Sequence, residues 1–269
     1  MTESPVLRRA VLSLLLAILA VLPLRAQADG PVAAVTTPPH PCKVPGLNEE
    51  VRCASYAVWE DRAAKKGRKI GINVVILPAK GPDKAPDPLF FFGGGPGQGI
   101  AGEAPGLAES PARQKRDVVL VDQRGTGRSN PLDCELWGHP LDLRQAAGDV
   151  FPIAAVRACK AKLEKVADLR LYTTPLAMDD VDEVRAWLGY GKVNLSGGSY
   201  GTRAAEVYLQ RHPQSVRTVT LLAVAPLDEY LPCTTPTPAS ALSTCCSPSA
   251  PPTPPATPPF RTSSRRSRR

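Results

Sequence analysis

The feature that most constrains this chain is a five-residue turn, Gly197-Gly198-Ser199-Tyr200-Gly201. It lies between an apolar strand, Lys192 to Leu195 (KVNL), and a helical run from Thr202 to Gln210 that Pro213 stops. A G-x-S-x-G alone is a weak signal, because Gly and Ser are common in loops. Set between a strand and a helix, it reads as a nucleophile elbow. The central residue of such a turn takes a strained backbone conformation and its neighbours must be small, which Gly197 and Gly201 satisfy. Ser199 Oγ is then held at the carboxyl end of a sheet. The backbone N–H of Tyr200, at the helix start, faces the place where an oxyanion would form.

Other segments fit the sheet that this turn needs. Lys69 to Leu77 (KIGINVVIL), Pro88 to Phe92, Asp117 to Val121 and Val216 to Leu222 are short, nearly continuous apolar runs. Such runs suit parallel strands covered on both faces. Ala154 to Val166 places Val156, Cys159, Leu163 and Val166 at helical steps. Asp179 to Leu188 places Val181, Val184, Trp187 and Leu188 on one side, with Asp179, Asp180, Asp182 and Glu183 favouring its start through the helix dipole. Alternating β and α predicts an α/β fold, a mostly parallel sheet with helices on both faces.

Two more motifs follow strands. In Phe92-Gly93-Gly94-Gly95-Pro96-Gly97 the glycines let backbone N–H groups approach a substrate, and Gly95 is the candidate second oxyanion donor. G-x-G-x-x-G fails in each register from Gly93 to Gly99 and no G-K-[ST] follows, which argues against a nucleotide loop. Asp122-Gln123-Arg124-Gly125-Thr126-Gly127-Arg128-Ser129 reads as a tight turn in which Asp122 and Arg124 tie neighbouring loops.

GGGPG, DQRGTGRS and GGSYG, in this order, resemble the α/β-hydrolase superfamily. Within it they are similar to the secreted proline iminopeptidase and tripeptidyl aminopeptidase group of serine exopeptidases. The likeness runs from about residue 42 to about residue 231 and departs at Gly93, where the group often has histidine. It implies Ser199 as nucleophile, with Gly95 and Tyr200 as oxyanion N–H donors. It also implies hydrolysis near a free peptide N-terminus through an acyl-enzyme, with no metal or organic cofactor. The substrate would be a peptide or a small ester or amide, since related folds include esterases and lipases.

A serine hydroxyl needs a base, and in this fold the chain order is Ser, then Asp or Glu, then His. After Ser199 the only histidine is His212, 13 residues on, at the far end of the elbow helix. At ~1.5 Å per residue that is about 20 Å away, too far to act. His40 and His139 precede the elbow. The acids that follow it are Glu206, Asp228 and Glu229, and no histidine remains for any of them to orient. No triad acid or base is identified, the family's lid and last strands would follow Leu231, and the chain as written is expected to be inactive. The rival from another class is a non-catalytic binding protein on a hydrolase scaffold.

The net charge of +8 is concentrated at the ends: five arginines lie in residues 261–269, and the first 28 residues carry three arginines and one glutamate. The body between is left near neutral, with no basic face for nucleic acid. Arg8 and Arg9, the apolar stretch Ala10 to Leu22 and Ala26-Gln27-Ala28 read as a cleavable signal peptide over residues 1–28. The mature chain is expected outside the cytoplasm, secreted or periplasmic, with no stable membrane insertion. The apolar stretch is short for the alternative, an uncleaved anchor. In an oxidising compartment, Cys42–Cys53 and Cys134–Cys159 are the pairings nearest in sequence. Residues 29–231 are expected to form the N-terminal part of the hydrolase domain, incomplete at its C-terminus.

From Cys233 to Arg269, 23 of 37 residues are Pro, Ser or Thr. Residues 232–269 are therefore expected to be a disordered tail. It reads either as a mucin-like linker or as GC-rich DNA translated out of frame. Mass spectrometry of the native protein tests both ends. A mature chain starting near Asp29 is expected. Acidic, His-containing peptides after Pro232 would support the frameshift, and peptides with the Pro/Ser/Thr text would refute it.

Overall fold

A computed structural model describes residues 31–134, 136 and 152–228. The chain divides into two units, Met1–Ala225 and Pro226–Arg269, and the elements below all belong to the first. The expected signal peptide and tail lie outside the described residues.

Seven strands form one mixed sheet: β1 (Thr37–Cys42), β2 (Val51–Trp59), β3 (Lys69–Leu77), β4 (Leu89–Phe92), β5 (Val118–Val121), β6 (Val193–Gly198) and β7 (Val216–Leu222). Their order is β1-β2-β3-β5-β4-β6-β7. The parallel arrangement read from the sequence holds for β5, β4, β6 and β7. β1, β2 and β3 add an antiparallel arm. The first two strands escaped the sequence reading. β1 (TPPHPC) carries three prolines, tolerated because it is an edge strand.

Four helices are described: α1 (Ala104–Leu107), α2 (Ile153–Leu163), α3 (Thr174–Trp187) and α4 (Tyr200–Arg211). The continuous apolar strands serve two cores, because successive side chains point to opposite faces. Val74, Ile76, Val119 and Val121 pack with Met178, Val181 and Val184 of α3 and Ala204, Ala205 and Tyr208 of α4. Val75, Leu77, Val118 and Leu120 pack with Ile100, Ala101 and Ala104 on the other side.

Two helix expectations need correction. α3 begins at Thr174, five residues earlier than expected, with Thr173 at the cap and Pro175 in the first turn. Its acidic residues do not mark the start. They are mid-helix anchors, Asp179 for Arg211 and Asp180 for Arg124 and Arg62. α2 ends at Leu163, three residues short of the expected Val166, and its stripe is only partly buried: Leu163 is inside, while Val156 is exposed, as is Val166 beyond the helix. Both expected disulfides are formed, Cys42–Cys53 between β1 and β2 and Cys134–Cys159 onto α2.

The parallel strands are fastened at the end opposite Ser199. Asp87, just before β4, accepts from Asn194 Nδ2 of β6 at 2.8 Å, from Arg116 Nε before β5 at 3.0 Å, and from Arg217 of β7. Burial alone would raise this carboxyl, but the bonds from Asn194, Arg217 and Arg116 together hold it well below the usual carboxylate range. A depressed native pKa contributes stability that is present above the unfolded value of roughly 4 and is lost as pH falls through the folded value. Urea unfolding between pH 5 and pH 2 should therefore show a steeper loss in the native chain than in Asp87→Asn. Parallel losses would contradict this.

Candidate active site

The elbow is built from backbone contacts. Ser199 sits between β6 and α4 at φ 53° and ψ −122°, a conformation that L residues rarely adopt and that persists only where the surroundings impose it. Its N–H donates to Leu222 O of β7 at 3.0 Å. Its carbonyl accepts from Thr202 N at 2.9 Å and Thr202 Oγ1 at 2.7 Å. Two glycines permit the turn. A Cβ on Gly201 would lie 2.1 Å from Phe92 O, and one on Gly197 would lie 2.3 Å from Gly201 O. The helix start is thus pressed against the carboxyl end of β4, where Phe92 pairs with Gly197.

That contact brings the glycine loop to the serine. A Cβ on Gly94 would lie 3.5 Å from Ser199 Cβ and 3.9 Å from Oγ. Gly95 follows at φ +112°, open to glycine alone without strain. Tyr200 is the first residue of α4, so its N–H lies outside the intrahelical ladder. Ser199 itself is exposed. Gly94 lines a cleft of about 570 Å³, whose walls include Gln123, Leu132, Tyr172, Thr174 and Tyr200.

The DQRGTGRS motif braces this cleft. Asp122 accepts from Asn73 Nδ2 at 2.9 Å, Ala101 N at 2.8 Å and Arg128 N at 3.0 Å. Arg124 is buried. It binds Asp180 through Nε at 2.6 Å and Nη2 at 2.9 Å, and donates through Nη1 to Glu60 O and Leu171 O, each at 2.9 Å. Tyr172, missed by the sequence reading, donates to Glu60 Oε1 at 2.8 Å and accepts from Asn130 Nδ2 at 2.6 Å. Burial, then the bond to Glu60, pushes its phenol up, so it stays neutral. The signal for this region was present in Thr173-Thr174-Pro175, a cap followed by a first-turn proline.

The described histidines lie away from the serine. His212 closes α4, with Nε2 3.0 Å from Asp179 Oδ1 and its ring against Tyr208. Burial would raise Asp179, but bonds from Arg211 and His212 hold it low. This Asp–His pair copies two of the three members of a triad yet sits at the opposite end of the helix from Ser199. His40 lies on β1, five strands from β6, or about 24 Å at ~4.8 Å per strand. Glu206 is on α4 and Asp228 falls in the second unit. His139 and Glu229 lie outside the described residues. Among the described residues no His/Cys/Asp/Glu group could hold a metal.

The close approach at Gly201 can be tested directly. Gly201→Ala should destabilise the chain by roughly 2 kcal/mol or more, because the methyl meets backbone that cannot yield. Gly102→Ala, with open space around it, should change stability by no more than about 0.5 kcal/mol. Equal urea midpoints would contradict this geometry.

The chain matches the family model described as alpha/beta hydrolase fold over residues 87–244. It is 28% identical over 137 residues to the proline iminopeptidase of Neisseria gonorrhoeae, covering 51% of this chain and 32% of that protein. It is 28% identical over 197 residues to the tripeptidyl aminopeptidase of Streptomyces coelicolor, covering 66% and 36%. It is 29% identical over 194 residues to the serine protease Hip1 of Mycobacterium bovis, again covering 66% and 36%. It thus spans about a third of the length of these relatives. A family model over more than half of the chain, together with the strand–elbow–helix geometry of Ser199, places this protein in the α/β-hydrolase family.

Proposed function

We propose that this chain carries the nucleophile half of an exported serine exopeptidase that cleaves near peptide N-termini. The observation that carries the reading is Ser199, held at positive φ against the glycine loop. Ser199 Oγ attacks the scissile carbonyl, an O–C bond forms, the hydroxyl proton passes to solvent, which later protonates the leaving amine, and the negative charge passes to the carbonyl oxygen. The N–H groups of Gly95 and Tyr200 receive that oxygen. The C–N bond then breaks, the amine leaves with a proton, and water releases the acyl group from Ser199. The peptidase-type names of the relatives support the substrate class. The signal-like N-terminus and the two disulfides support export.

With the described histidines far from Ser199, the purified 269-residue chain should turn over aminoacyl amides near background. The oxyanion hole alone leaves a modest residue of catalysis. An activated ester should still acylate Ser199 slowly. The test is the mass of the Ser199 peptide after incubation with a p-nitrophenyl ester, beside Ser199→Ala. An acyl adduct present in the native chain and absent in the variant is expected. No adduct on Ser199 would overturn the nucleophile reading. Rapid amide turnover lost in Ser199→Ala would overturn the expectation of near-background activity.

A further inference from the structure

Gln123, in the DQRGTGRS motif, has no role in the proposed chemistry and lines the cleft beside the serine. Its side chain meets Tyr200, the residue after the nucleophile. Tyr200 Oη lies 2.7 Å from Thr174 Oγ1 and 3.3 Å from Gln123 Oε1. One arrangement satisfies both contacts: Thr174 donates to the phenol oxygen and the phenol donates to Gln123. Tyr200 is half-buried, and its phenol is pushed up by burial, so it remains a donor across the neutral range.

Both partners are themselves fixed. Gln123 O accepts from Thr126 N at 3.0 Å and Thr126 Oγ1 at 2.8 Å, which closes the turn after β5. Thr174 opens α3, and six residues along the same helix Asp180 grips Arg124, the neighbour of Gln123. The contacts form a closed ring: Gln123, Arg124, Asp180, Thr174, Tyr200 and back to Gln123. Tyr200 is thereby held at its phenol as well as along its backbone.

We propose that Gln123 and Thr174 are positioning residues that act through the Tyr200 side chain to aim the Tyr200 backbone N–H into the oxyanion hole. The inference rests on the Ser199 reading above. An oxyanion donor is effective only when its geometry is set before the reaction. At a strained turn the helix start would otherwise relax.

Among the described residues no histidine lies beside Ser199, which suits the test, because residual reactivity then depends mainly on the oxyanion hole. The probe is a fluorophosphonate. Ser199 Oγ bonds to phosphorus, fluoride leaves, the proton passes to buffer, and the phosphoryl oxygen occupies the hole. The readout is the second-order labelling rate of the folded 269-residue chain. Tyr200→Phe and Thr174→Val should each slow labelling by about tenfold, less than the hundredfold or more of a lost donor. Thr174→Ser should restore it to within about twofold, and Tyr200→Phe/Thr174→Val should be no slower than Tyr200→Phe, since one bond is shared. Urea midpoints measured alongside separate positioning from unfolding. Rates that stay at the native value, or fall only with the folded fraction, would overturn the inference while leaving Ser199 as nucleophile. A native chain that labels no faster than Ser199→Ala would overturn the nucleophile reading, and this inference with it.

Discussion

The site depends on a contact in which one partner has no side chain. The first turn of α4 lies so close to the end of β4 that only hydrogen fits between Gly201 and the Phe92 carbonyl. This approach sets where the helix begins, and the helix start sets the backbone of Ser199. It also fixes the distance between the serine and the glycine loop, because that loop leaves directly from Phe92. A methyl group at one position would separate the two halves of the candidate hole.

Polar contacts complete what the close approach begins. Three successive residues after β5 reach three neighbours. Asp122 holds the segment that follows the glycine loop, Gln123 meets Tyr200, and Arg124 locks α3 through Asp180. The Arg124–Asp180 pair is almost fully buried. Such a pair gives weak net stability against a well-packed apolar alternative, but removing one partner leaves a charge uncompensated. The pair joins the turn after β5 to α3, the helix that Thr174 opens. At the other end of the sheet, Asp87 performs a comparable fastening with Asn194, Arg116 and Arg217.

Much of this was legible in the sequence where local pattern decides. The elbow, β3 and β7 were readable because glycine placement and apolar runs are short-range signals. The start of α3 was misread. Its acidic residues look like a dipole signature, but Asp179 and Asp180 pair with Arg211, Arg124 and Arg62, which are remote in sequence. β1 was hidden by its prolines, and β2 by a mixed pattern that alternates imperfectly. The Tyr200 contacts were invisible for a topological reason. They join residues 26 and 77 positions apart, and only the folded sheet brings those positions together. The Asp179–His212 pair is the reverse case. Residue types suggest catalysis, but the helix carries the pair to the wrong end.

If the backbone around Ser199 is set for an oxyanion before any reaction, binding a tetrahedral adduct should leave it unmoved. The most direct measurement is a crystal structure of the chain with Ser199 phosphonylated. Ser199 should remain at positive φ near 53°, with the phosphoryl oxygen within hydrogen-bond distance of both the Tyr200 and Gly95 N–H groups. Ser199 relaxed to negative φ, or a phosphoryl oxygen bound by neither N–H, would contradict this.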